Sequence, residues 1–231
     1  MASSLESTER RRLQLVGDVA HELRTPLTTL DGYLEGLDDG VIAPTDETWR
    51  LLRAETGRLT RLVNDLSELW RAEAHQLPLR LEPVDAAAVA AEMVERFSPL
   101  AAPRGIRLEL RAEPATCIAD RDRVAQVLAN YLSNALRLAP QGSVVVVRTS
   151  AADGRVTLAV TDLGPGLAAD HLEVVFERFY RVDGARSRAA GGSGIGLAIV
   201  RALAGAMGGR AWADSAGPGT GATFSLELPA A

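Results

Sequence analysis

LQLVGDVAHELRTPLTTLDGYLEGL, residues 13–37, carries apolar side chains at Leu13, Val16, Ala20, Leu23, Leu27, Leu30, Leu34 and Leu37. The steps alternate three and four without a miss, which is the seam of a heptad helix. A second seam follows at Trp49, Leu52, Thr56, Leu59, Val63, Leu66 and Trp70, interrupted by one threonine. Between them lies DDGVIAPTDE, where Gly40 and Pro44 break helices and Thr45 or Asp46 can cap the next one. Two such helices predict an antiparallel hairpin. A lone hairpin leaves its seam half exposed, and pairing two chains closes a four-helix bundle. The alternative is packing on the rest of the same chain, but a strict heptad stripe is narrower than that requires. The expectation is a homodimer.

After His75-Gln76-Leu77-Pro78 the pattern changes. Residues 85–97, 120–138 and 195–207 read as helices; 106–111, 143–149, 155–161 and a final pair ending at Leu228 read as strands. Asp153-Gly154 is the turn of a strand hairpin. The fold expected is therefore two-part: residues 1–77 a helical hairpin forming a dimeric four-helix bundle, residues 78–231 an α+β sandwich.

The composition is ordinary for a globular protein, 47% hydrophobic and 24% charged, with so few aromatics (4%) that Leu, Val and Ala must build the cores. A net charge of −5 argues against nucleic acid as a partner, since a phosphate backbone needs a basic surface. Every basic side chain is arginine, so no chemistry here depends on lysine. The single Cys117 has no intramolecular disulfide partner, which fits a reducing compartment. No apolar run reaches the roughly 20 residues that cross a bilayer.

Four stretches carry chemistry. On the first helix, His21 lies one residue beyond seam position Ala20, with Thr25 one turn on and Glu22 beside it. An imidazole next to a carboxylate is a plausible nucleophile, with Glu22 a candidate base. Pro26 removes an N–H, so the helix is expected to bend just past the histidine. On the 120–138 helix, Asn130, Asn134 and Arg137 share one face, and amide oxygens can complete the shell of a Mg²⁺ ion. Asp162-Leu163-Gly164-Pro165-Gly166 follows a strand; a carboxylate there can accept from the amino group of adenine. Gly192, Gly194 and Gly196 open an apolar helix, an arrangement suited to phosphate, without the spacing of a P-loop or a dinucleotide fingerprint. Between these last two stand Phe176, Arg178, Phe179 and Arg181, whose arginines are within reach of a polyphosphate. Taken singly, each stretch also has a plain reading as a solvated face or a turn.

Their order is far more specific. From about Leu13 to Leu228 the chain resembles bacterial sensor histidine kinases, with a dimerisation hairpin and a Bergerat-fold ATP-binding domain. HELRTPL is similar to the family's phosphoacceptor box and NYLSNALRLAP to its asparagine box; DLGPG, FERFYR, GGSGIGLAIV and GTGATF follow in family order. The resemblance implies a protein-histidine kinase that takes phosphate from ATP onto His21 and passes it to an aspartate of a response-regulator receiver domain. Glu22 would then be the general base, and Thr25 would position water for a phosphatase activity. Asn134 would be the main Mg²⁺ ligand, supported by Asn130, and Arg137 would contact phosphate. Asp162, with Gly164 and Gly166, would read adenine. Gly192, Gly194, Gly196 and Leu197 would line the phosphates, with Arg178, Arg181 and Thr223 as further nucleotide contacts. Leu138 stands where the family usually has an aromatic or histidine, which predicts an adenine contact weaker by about 1 kcal/mol. The resemblance also implies that this stretch is the cytoplasmic portion of an inner-membrane receptor, not itself membrane-inserted.

Two rival readings differ in kind. ATPases of the gyrase, chaperone and mismatch-repair type resemble the nucleotide boxes, but they place a catalytic glutamate where Asn130 stands and lack the HELRTP hairpin. A pseudokinase would keep the dimer and have lost transfer, against which stands the presence of every key residue.

Overall fold

The structure is a computed structural model that describes residues 2–73, 78–182 and 194–231; for residues 2–16, 18, 21 and 73 it describes the backbone alone. The chain divides into two compact units, Met1–Ser67 and Glu68–Ala231. The division falls within the second helix, whereas the boundary expected after residue 77 adjoins residues 74–77, outside those described. No helix among the described residues is long and apolar enough to cross a membrane.

The first unit is a helical hairpin of α1 (Ala2–Asp38) and most of α2 (Asp46–Glu73). α1 is helical through Pro26 to its end. There the chain reverses at Gly40, in the left-handed region at φ 70°, and the Ile42 N–H donates to the Gly36 carbonyl at 2.7 Å. Ile42 folds back over Gly36: a Cβ added there would lie 2.6 Å from the Ile42 side chain. Of the two candidate caps for α2, Thr45 makes the bond, accepting from the Thr48 N–H at 3.2 Å.

The expected seams turn out to be two rows each. Leu23, Leu30 and Leu37 on α1, like Leu52, Leu59 and Leu66 on α2, are buried or half-buried. One flanking row turns inward: Val19, Pro26 and Tyr33 on α1, and Thr48, Glu55 and Leu62 on α2. The other flanking row was read as part of the seam and is exposed: Ala20, Leu27, Leu34, Trp49, Thr56, Val63 and Trp70. Leu27 and Leu34 are each 54% accessible and Trp49, Val63 and Trp70 nearly half. A helix in a bundle presents one row to each of two neighbours, and a hairpin supplies only one neighbour.

In the second unit, five strands form one sheet in the order β2 (Arg107–Ala112), β4 (Val144–Ala152), β5 (Arg155–Asp162), β7 (Ala222–Pro229), β6 (Arg210–Asp214). β2 and β4 run parallel and the other pairs antiparallel. β1 (Glu82–Asp85) and β3 (Thr116–Ala119) make a separate two-stranded ladder that the sequence reading missed; four residues are too few to show a period. Helices α3 (Ala86–Ala101), α4 (Arg121–Leu138) and α5 (Gly196–Ala206) pack on the sheet. Asp85 caps α3 by accepting from the Ala88 N–H, and Asp120 caps α4 by accepting from the Asp122 and Arg123 N–H groups. The Asp153-Gly154 turn has both residues at positive φ, 51° and 70°, as a two-residue hairpin demands.

Alternation along β5 decides the site. Val156, Leu158 and Val160 face the core, each at most 1% exposed, and the period of two puts Asp162 on that same side. A carboxylate thus occupies the last core position of the central strand.

Candidate nucleotide site

Asp162 is 3% exposed, and burial pushes its carboxyl above the ordinary range. Two backbone N–H groups, of Gly164 and Ala222, work against that shift by favouring the charged form; Gly164 N–H donates to Oδ1 at 2.7 Å. The turn after Asp162 is packed backbone on backbone. A Cβ on Gly164 would lie 2.6 Å from Asp162 Oδ1 and 3.3 Å from Leu138 Cβ, and one on Gly221 would strike the Asp162 carbonyl. Gly166, at φ 68°, has no room against the Gly217 carbonyl. Ser215 ties the two turns together: its hydroxyl accepts from Leu167 N–H at 3.0 Å and donates to the Gly221 carbonyl at 2.7 Å.

On α4 the apolar side is fully buried (Val124, Val127, Leu128, Tyr131, Leu132), which leaves Asn130, Asn134 and Arg137 half-buried at the edge. Asn130 Nδ2 donates to the Gln126 carbonyl at 3.1 Å and its Oδ1 abuts Gly196, the first residue of α5. Asn134 Oδ1 accepts from Arg137 at 3.2 Å. Burial, and then the nearby positive charge of Arg181, lower the Arg137 guanidinium from its ordinary value. Two cations converge there, and an anion would relieve them.

Arg178 and Arg181 follow Phe176, which is 2% exposed. Phe179 stands at φ 59°, and its N–H donates to the Gly194 carbonyl at 2.9 Å. Gly194 must be glycine twice over: its φ is 70°, and a Cβ would lie 2.8 Å from Phe179 Cα. Leu197 is half-buried in the first turn of α5. Gly192 lies outside the described residues.

The first unit carries the other candidates. His21 is in helical backbone, its side chain outside what is described; Glu22 is half-buried and Thr25 exposed. The Thr25 carbonyl accepts from the Thr29 hydroxyl at 3.0 Å.

Residues 11–75 match the family model of the His Kinase A (phospho-acceptor) domain, and residues 119–231 that of the histidine kinase-, DNA gyrase B- and HSP90-like ATPases. The signal transduction histidine-protein kinase BaeS of Escherichia coli is 39% identical over 230 residues, 99% of this chain. The solved mycobacterial sensor histidine kinase MprB is 33% identical with a TM-score of 0.58; the match covers 98% of MprB and 65% of this chain. The chain belongs to the sensor histidine kinase family. Its fold also matches that of histidine kinase ThkA, solved in complex with response regulator protein TrrA, over 99% of this chain and 66% of ThkA (TM-score 0.77, 21% identity). The chain spans 49% of BaeS, so it corresponds to about half of that kinase.

For a sensor histidine kinase the placement of the boxes is instructive. Gly164, beside Asp162, packs on Leu138 at the end of α4, and Asn130 in the middle of that helix meets Gly196 at the start of α5, so α4 joins the two groups of boxes. Thr223 does not join them. In register Asp162 pairs with Ala222, so Thr223 turns to the opposite face of the sheet, where its hydroxyl pairs with that of Thr161 at 2.9 Å. The strand period, counted back from Phe224 in the core, carries the signal that was missed. Ser215 and Ala222 were also missed, since each acts through a bond no motif records.

Proposed function

We propose that the second unit binds Mg²⁺·ATP and that its γ-phosphoryl passes to His21 of α1, then to an aspartate of a response-regulator receiver domain. The observation that carries this reading is the buried, raised Asp162 set against the convergent Asn130, Asn134, Arg137 and Gly196 within one unit of a chain whose other unit holds HELRTP. A carboxylate at a core position suits the exocyclic amino group of adenine. The donor set suits the metal: Asn130 and Asn134 offer amide oxygens, and no group of three or more His, Cys, Asp or Glu forms a metal cluster among the described residues. Such a site fits Mg²⁺ that arrives on phosphate oxygens and keeps water; bound there, the ion would neutralise charge on the β- and γ-phosphates. Gly194 and Gly196 would offer backbone N–H groups to the phosphates, with Gly192 read as a third contact from its motif alone, and Arg137, Arg178 and Arg181 would supply positive charge.

Glu22 takes the proton from the imidazole, and Thr25 orients water in the reverse, phosphatase reaction. The exposed row Leu27, Leu34, Trp49 and Val63 supports a homodimer closed as a four-helix bundle. ThkA's solution with a response regulator supports a receiver domain as partner. The chain is read as the cytoplasmic portion of a longer membrane receptor, with residues 1–77 for dimerisation and phosphotransfer and 78–231 for ATP; the relatives support only the greater length, since the chain spans 49% of BaeS. Incubation with γ-labelled ATP and Mg²⁺ tests the reading: acid-labile, base-stable label appears on the chain and is lost in His21→Gln, which still binds nucleotide. Label that survives His21→Gln assigns the acceptor elsewhere.

A further inference from the structure

Arg201 lies in the second turn of α5 and is engaged on three sides. One guanidinium nitrogen donates to Glu177 Oε1 at 2.9 Å, another to the Glu173 carbonyl at 2.9 Å, and the group lies 5.1 Å above the centre of the Phe176 ring. All three partners belong to the short turn Val174–Phe176 and its flanks. That turn leads directly into Arg178, Phe179 and Arg181, while α5 begins at Gly196, against Asn130. One side chain therefore joins the segment that carries the arginines to the helix that meets the carboxamide.

The joint is anchored in the core. Phe176 meets Phe224 edge-on at 6.3 Å, Phe224 meets Tyr131 at 5.7 Å, and the buried Tyr131 hydroxyl donates to the Ser225 carbonyl at 2.9 Å. Tyr131 is the neighbour of Asn130 on α4. The line of rings thus runs from Arg201 to the helix that bears both asparagines. The adenine end is held separately, through Asp162, Gly164 and Ser215.

We infer that Arg201 is a positioning residue for the polyphosphate: it sets the separation between Arg178 and Arg181 on one side and Gly196 and Asn130 on the other. Arginine suits the task because a flat face stacks on Phe176 while two donors diverge to a carboxylate and a carbonyl; a lysine ammonium does neither together. The inference rests on ATP being the ligand.

Affinities of the full chain for Mg²⁺·ATP and for adenosine, measured by calorimetry, test it. Wild-type binding of both nucleotides checks the ATP reading by itself. Arg201→Ala then weakens ATP about fivefold or more, with adenosine within about twofold. Arg201→Lys recovers only part of the loss. Glu177→Gln, on the surface and harmless to the core, shifts ATP in the same direction by less, and adding it to Arg201→Ala costs nothing further. The inference is overturned if ATP and adenosine weaken equally, if Arg201→Ala leaves ATP unchanged, or if the two losses add.

Discussion

The carboxamide oxygen of Asn130 occupies the space a side chain on Gly196 would need, 2.6 Å from an added Cβ. Its nitrogen is held by the Gln126 carbonyl, which turns the oxygen toward the start of α5. Gly196→Ala must therefore push the amide aside. Mg²⁺·ATP affinity is expected to fall about tenfold, the scale of one misplaced metal ligand, and adenosine affinity to hold. Equal loss for both nucleotides would mean that the substitution disturbs α5 instead.

Asp162 gives a pH dependence with a defined sign. Its folded-state pKa is raised, so burial of the charge destabilises the empty fold above that pKa, and the penalty fades as pH falls through it. In the proposed site adenosine needs the carboxylate form as acceptor, so its affinity is expected to fall over the same interval, beginning above the ordinary Asp value of about 3.9. Asp162→Asn removes the titration: adenosine binds weakly with no such pH dependence, and the empty protein melts no lower at neutral pH. A steep acid limb persisting in Asp162→Asn assigns it to another group.

Leu27 and Val63 belong to the exposed rows of the two hairpin helices, 54% and 49% accessible in the single chain. Charging both, as Leu27→Glu with Val63→Glu, is expected to give monomers in sedimentation that still bind ATP. Dimers surviving the double change would place the interface on another surface.

Thr25 is exposed one turn beyond His21 in the sequence, and its hydroxyl is proposed to orient water rather than to assist the imidazole. Thr25→Ala is expected to keep labelling of His21 within about threefold while sharply slowing phosphate loss from a purified phospho-regulator; a hydroxyl that aligns water acts only in the second reaction. Phosphatase rates unchanged in Thr25→Ala reduce the hydroxyl to a local helix contact.

Arg104 donates to the Ala139 carbonyl at 2.8 Å and to the Leu136 carbonyl, closing the open end of α4. Arg104→Ala leaves those carbonyls to water at a cost of about 1 kcal/mol, or about 2–4 °C in the melting midpoint of the second unit. Calorimetry on the full chain reads this directly.

The elements that declared themselves in the sequence are those long enough to repeat. Both hairpin helices, the starts of α3 and α4 near Asp85 and Asp120 and the Asp153-Gly154 turn were legible, because a period or a dihedral demand singles out residue types. β1 and β3 were not, for they are short and lean on each other. The heptad disclosed the apolar stripe but not its division: Leu62 and Val63 are adjacent and equally apolar, and only a neighbour decides which is covered. Asp162 was found by motif and explained by alternation. Thr223 was misplaced because its motif was carried over without counting which face the strand turns to the core. Ser215, Arg201 and Arg104 act at a distance in sequence, through bonds to backbone or to single side chains, and no spacing rule records them.

Phe179 and Gly194 meet backbone to backbone at 2.9 Å, so the fourteen residues from 180 to 193 begin and end at one point. A segment with coincident ends can lengthen or shorten without moving its attachment, and doubling its length adds only about 0.6 kcal/mol of chain entropy. The Phe179–Gly194 hydrogen bond fixes where the stretch is attached, and Phe176, Arg201 and Gly196 on either side admit no slack. Chimeras that import this stretch from other family members at the Phe179–Gly194 junction are thus expected to fold, each with its own nucleotide affinity.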